Sequence, residues 1–136
     1  MNQSFAAQAN RNKYLETAVL TASPAQLLIM LYDGGIRFCR AAVEAIHQGD
    51  HQESNRCIQR AQDIVLEFVI SLDKSAPVAE GLVLMYDYMY NRLIEANMKK
   101  DPVILEEVVG YLLELKETWI QASKQGNKQV VGATHG

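Results

Sequence analysis

The chain has 136 residues, 49% of them hydrophobic and 21% charged, with 13 Lys+Arg against 16 Asp+Glu for a net charge of -3. That length suits one domain and is short for two, and the acidic balance removes the attraction on which general binders of nucleic acid or anionic membrane rely. The longest apolar run, Leu27 to Tyr32, falls far short of the roughly 20 residues that span a bilayer, and no apolar stretch precedes Asn10 and Arg11, so neither membrane insertion nor a secretory signal is expected and the cytoplasm is.

In chain order, Tyr14, Leu15, Ala18 and Val19 recur on one helical face, enough to dock a short segment loosely. In Thr21-Ala22-Ser23-Pro24-Ala25-Gln26, Ser23 is a cap, Pro24 a preset first helical residue and Gln26 the reaching partner of a capping box. A first helix is therefore predicted from Pro24 through Leu28, Leu31, Gly35, Phe38, Ala42 and Ile46 to a stop near Gly49. Gly34-Gly35 inside it costs helix stability and points to close packing. Asp50 caps the second helix, with Glu53 at its N3 position and Ile58, Ala61, Val65, Phe68 and Leu72 as its seam, fading at Asp73 to Pro77. A third is predicted from about Pro77 to Asn97 with Leu82, Met85, Met89, Leu93 and Ala96; Asp101-Pro102 opens a fourth with Leu105, Val108, Leu112, Leu115 and Trp119.

Short connections make successive helices antiparallel neighbours, so the predicted fold class is all-α, an up-down four-helix bundle about 30 Å long. Its domain organisation is an N-terminal segment over 1–20, partly ordered and packed on the bundle, the bundle over 21–123, and a flexible tail over 124–136 with little to bury. Cys39 and Cys57, in no CxxC arrangement, read as two small buried hydrophobes in a reducing compartment.

Filling the seam leaves apolar residues over. Leu66 and Ile70 lie outside the second helix's stripe; Val83, Tyr86, Tyr90 and Ile94 form an arc beside the third helix's stripe; Val109, Leu113 and Ile120 flank the fourth's. A bundle helix needs an apolar arc of little more than about 100°, and adjacent surplus strips carrying Tyr and Met describe a groove for an amphipathic partner segment. No chemistry competes with that reading. Glu44 and His47 make an ExxH pair on the polar side of their helix, but a di-metal bundle needs a second ExxH and further inward carboxylates, which the sequence does not supply. Neither GxxxxGK[ST] nor GxGxxG occurs, and no serine sits in a nucleophile motif. The expectation is a binding protein, no enzyme, with no cofactor and no metal.

Thr21-Ala22-Ser23-Pro24, then Leu27 to Gly34, Ala61-Gln62-Asp63-Ile64, Ser71-Leu72-Asp73, Met85-Tyr86-Asp87-Tyr88-Met89, Leu93 to Asn97 and the closing Trp119 occur in the order and spacing of one family. Over about residues 14 to 122 the chain resembles the FliS family of flagellar secretion chaperones. The resemblance implies a four-helix bundle in the cytosol that binds newly made flagellin and shields its aggregation-prone C-terminal segment. It also implies that this prevents premature polymerisation and delivers the client to the export gate of the flagellar type III export apparatus, with other flagellar assembly regulators as further partners. Tyr14 matches a tyrosine of the family's N-terminal segment, which lies over the bundle surface and is rearranged when flagellin binds. The flagellin-binding residues expected are thus Tyr14, Leu66, Ile70, Val83, Tyr86, Tyr90, Ile94, Val109, Leu113 and Ile120, on a monomer or weak homodimer. A rival use of the same strips is self-association in a dimerising adaptor, which would show as a concentration-dependent mass.

Overall fold

The computed structural model describes residues 12, 13 and 23–135, with side chains placed as far as 124. Four helices follow one another: α1 Pro24–His47, α2 His51–Ser71, α3 Ala79–Lys99 and α4 Pro102–His135. No strand occurs among the described residues, and each helix packs on the next while α4 closes back onto α1. The result is the square, antiparallel all-α bundle that the sequence predicts.

The helix starts are written in local chemistry. Ser23 Oγ accepts from the Gln26 amide at 3.2 Å and the Gln26 side chain accepts from the Ser23 amide at 2.8 Å, a complete capping box with Pro24 behind it. Gly49, at φ 74°, turns the chain out of α1. Asp50 Oδ1 then accepts from the Glu53 amide at 3.1 Å, but the Glu53 carboxylate binds Arg56 at 2.6 Å instead of reaching back to the cap. Asp101 Oδ1 accepts from the Val103 amide at 2.9 Å, leaving Pro102 as the first residue of α4. The third helix departs from expectation: it begins at Ala79, after Pro77, and its N-cap Val78 makes no side-chain cap bond. Asp73 explains the delay, because its carboxylate and carbonyl accept from the Ser75 and Ala76 amides and hold the chain in turns. α4 continues through 124–135, the stretch set apart as tail.

The glycine pair has the packing role expected of it. A Cβ on Gly34 would stand 3.3 Å from Ile64 Cδ1, and one on Gly35 would stand 3.3 Å from Leu112 Cδ1. The missing side chains let α1 settle against α2 and α4. Between the helices, Tyr32, Cys39, Ile58, Val65, Phe68, Met89, Leu93, Leu105, Val108 and Leu112 are buried. Both cysteines are buried free thiols, and burial pushes the Cys39 thiol up to about 12. Among the described residues no helix is long and apolar enough to cross a membrane.

Candidate functional site

Three polar contacts fix which flank of each helix faces which neighbour. Asn97 Nδ2 donates to Asn55 Oδ1 at 2.6 Å across α2 and α3. Arg92 Nη2 pairs with Glu107 at 2.8 Å across α3 and α4, and Lys116 with Asp33 at 2.6 Å across α4 and α1.

From these anchors the apolar strips can be placed. About three turns beyond Asn55, Leu66 returns to within about 20° of the same side of α2, and Ile70 follows one turn on and farther out. On α3, Tyr90 and Val83 return to within about 40° of the Asn97 side, and Ile94 to within about 60°. Leu66 is 44% exposed, Ile70 73% and Ile94 37%, while Val83 and Tyr90 are half-buried. By this placement the five residues flank one seam between α2 and α3, called here the α2–α3 groove. On α4, Val109, Leu113 and Ile120 fall on the Lys116 side, toward α1, and so lie across the bundle from that groove. The strips named from sequence therefore fall on two separate seams of the bundle. Tyr14 lies outside the described residues.

Two of the strip residues are core. Tyr86 is 1% exposed and Val109 9%, which corrects their assignment to an outer arc. For Tyr86 the reason is a buried aromatic cluster at one pole of the bundle. Its hydroxyl lies 2.7 Å from that of Tyr32, whose oxygen also accepts from Trp119 Nε1 at 3.0 Å. The Phe68 ring stacks on Tyr32 with centroids 4.2 Å apart and meets Tyr86 at 5.2 Å. Burial pushes both phenol pKa values above the ordinary tyrosine range, so both hydroxyls are neutral donors at physiological pH. Val109, about 20° from Lys116 on the α4 wheel, is covered by the closing α1–α4 pair.

Above this cluster opens a cavity of about 650 Å³. Its walls are Pro24 and Leu28 from the start of α1, Leu72 from the end of α2, Val78 before α3, and Trp119 and Ala122 of α4, with Tyr86 and Phe68 deeper and Ser71, Asp73 and Ser123 as its polar lining. It falls within the 300–1,000 Å³ range of ligand pockets, and like them it is apolar with a few polar groups.

Sequence reasoning also passed over Leu84, Tyr88, Met98 and Val103, exposed on the outer side of α3 and the start of α4. Leu84 and Tyr88, one turn apart, were the available signal. Tyr88 is held rather than free: its hydroxyl donates to Glu107 at 2.6 Å and its ring meets Tyr111 edge-on at 5.9 Å. Arg92 and Tyr88 together hold the Glu107 carboxyl below the usual carboxylate range.

Catalytic chemistry finds no comparable assembly among the described residues. Glu44 and His47 are both exposed, Glu44 accepting from Gln48 at 3.0 Å, and no group of three or more His, Cys, Asp or Glu side chains there could hold a metal ion.

Comparison with known proteins gives a consistent set of relatives. A family model described as flagellar protein FliS matches residues 6–126. The flagellar secretion chaperone FliS of Bacillus subtilis (strain 168) is 37% identical over 120 residues, covering 88% of this chain and 90% of that protein. The flagellar secretion chaperone FliS of Salmonella typhimurium is 35% identical over 118 residues, covering 85% and 87%. The flagellar secretion chaperone FliSB of Pseudomonas aeruginosa is 32% identical over 107 residues, covering 77% and 85%.

Proposed function

The chain belongs to the FliS family of flagellar proteins, and on that premise we propose that it is a non-enzymatic export chaperone of the cytoplasm whose client is the C-terminal segment of flagellin. In this reading it binds the segment as a monomer or weak homodimer, prevents premature polymerisation and aggregation, and delivers the client to the flagellar type III export gate.

The observation that carries the reading is the α2–α3 groove, where Leu66, Ile70, Val83, Tyr90 and Ile94 leave apolar surface over in a chain whose relatives are named flagellar secretion chaperones. From Ile94 to Val83 the track is about 16 Å long, about three turns of an incoming helix. A segment that folds on binding loses about 2–5 kcal/mol in ordering. Full burial of one large aliphatic side chain returns about 1.5–3 kcal/mol, so one exposed residue cannot hold such a client and a row of them can. Tyr14, with Leu15, Ala18 and Val19, serves as a movable cover, and Leu113 and Ile120 extend contact on the α4 side. A synthetic flagellin C-terminal peptide titrated into the chain tests this by calorimetry. Saturable binding that Leu66→Glu weakens without lowering the melting temperature supports it, and the absence of binding removes it.

A further inference from the structure

The cluster beneath the pole cavity has one hydrogen more than its own acceptors can take. Trp119 Nε1–H donates to the Tyr32 oxygen, and the two phenols share one hydrogen bond of 2.7 Å. If Tyr32 donates to Tyr86, the Tyr86 hydroxyl hydrogen has no acceptor; if Tyr86 donates, the Tyr32 hydrogen has none. Trp119 also stands beside the Tyr86 oxygen, but as a donor it takes up neither phenol hydrogen, and an unused buried donor is costly. Of the two, Tyr86 lines the cavity. The cavity lies at the end of the α2–α3 pair where Ile70 and Val83 stand: Leu72, two residues after Ile70, and Val78, five before Val83, are in its wall.

We propose that the pole cavity is a second, deeper client subsite, which takes one large apolar side chain of the flagellin segment and whose Tyr86 hydroxyl donates to an unpaired main-chain carbonyl beside it. This rests on the chaperone reading above. The occupant follows from the position of the groove's end beside the cavity, at the same pole of the α2–α3 pair, and from the chemistry of its floor: apolar walls accept a side chain of aromatic or leucine size, and the spare donor selects a neutral acceptor. Carbonyls of that kind are what a client helix offers at its C-terminal turn, where the last four have no partner within the helix. Tyr32 and Trp119 act as positioning residues. Trp119 fixes the Tyr32 oxygen as an acceptor, and Tyr32 turns its own hydrogen to Tyr86, which frees the Tyr86 hydrogen to point into the cavity.

Trp119 is the chain's single tryptophan and stands in the cavity wall, so the full chain reports on the site directly. A fluorescein-labelled, tryptophan-free flagellin C-terminal peptide gives binding by anisotropy, and an unlabelled copy gives Trp119 emission separately. The expected result is an emission shift that saturates with the anisotropy curve. Tyr86→Phe should weaken the peptide about three- to tenfold, the factor that one neutral hydrogen bond carries. Because Tyr86→Phe also removes a partner of Tyr32, circular dichroism checks its fold. Ala122→Phe, at an exposed position on the cavity wall, obstructs the subsite independently and should weaken binding at least tenfold. Anisotropy binding with unmoved emission overturns the subsite while leaving the chaperone reading intact, as does wild-type affinity in a folded Tyr86→Phe or Ala122→Phe chain. No anisotropy change with the wild-type chain overturns both.

Discussion

Replacing Gly35 and Gly110 by alanine, one at a time, makes the same chemical change in two helices and should stabilise only the second. In a helix interior the change is worth about 0.5–1 kcal/mol through backbone entropy alone. At Gly110 a new Cβ meets nothing within 4 Å, so that gain should appear whole. At Gly35 the same methyl lands 3.3 Å from Leu112 Cδ1 and 3.5 Å from Ile64 Cγ2. Leu112 is 1% exposed and packed in the core cluster, and overpacking of this kind costs about 1–3 kcal/mol. Gly35→Ala should therefore come out neutral to about 2 kcal/mol destabilised, and the two variants should differ by about 1–3 kcal/mol. In a chain of this size each kcal/mol moves the melting temperature by about 3–5 °C. Urea titration followed by far-UV circular dichroism and Trp119 emission measures both. A Gly35→Ala chain that gains as much as Gly110→Ala would refute the claim that α1 is drawn onto its neighbours through this glycine.

Other consequences follow from core, charge and cover. Leu112→Ala should lose about 2–5 kcal/mol by opening a cavity in the seam, whereas Leu113→Glu, at a neighbouring but 43% exposed position, should leave the unfolding midpoint within about 0.5 kcal/mol of wild type. The Glu107 carboxyl is held low in the folded chain by Arg92, so its contribution is fully present above the ordinary glutamate value of about 4.3 and is lost as pH falls through the lower folded value. Urea midpoints measured between pH 5 and pH 2 should accordingly fall less steeply for Glu107→Gln than for wild type. Deleting residues 1–19 should speed association of a flagellin peptide in stopped-flow mixing, because a cover that occupies the groove part of the time lowers the open fraction. Faster dissociation instead would make the segment a clasp, and unchanged rates would remove Tyr14 from the binding surface.

Helix number, order and most boundaries were legible because their causes are local. Ser23 and Gln26, or Asp101 and Pro102, act within four residues of one another, and hydrophobic spacing carries the rest. Pro77 misled because a proline marks a helix start only when its neighbours are free to cap it, and here the turns set by Asp73 keep the chain non-helical until Ala79. Faces were half legible. A wheel gives the width of an apolar arc but not the direction in which the neighbours stand, so Leu66, Ile70 and Leu113 were placed outside while Tyr86 and Val109 were placed there wrongly. The phenol of Tyr86 is accommodated by Tyr32 on α1 and Trp119 on α4, partners far away in sequence. The pole cavity is built from the ends of several elements at once, and no single periodicity announces it.

On the reading proposed above, the α2–α3 groove holds a client. The most direct measurement is isothermal titration of a flagellin C-terminal peptide into the wild-type chain and into a Leu66→Glu, Ile70→Glu double variant of equal melting temperature. Saturable binding by the wild type and at least a tenfold loss in the double variant are expected. Equal affinity for the two chains would contradict that reading.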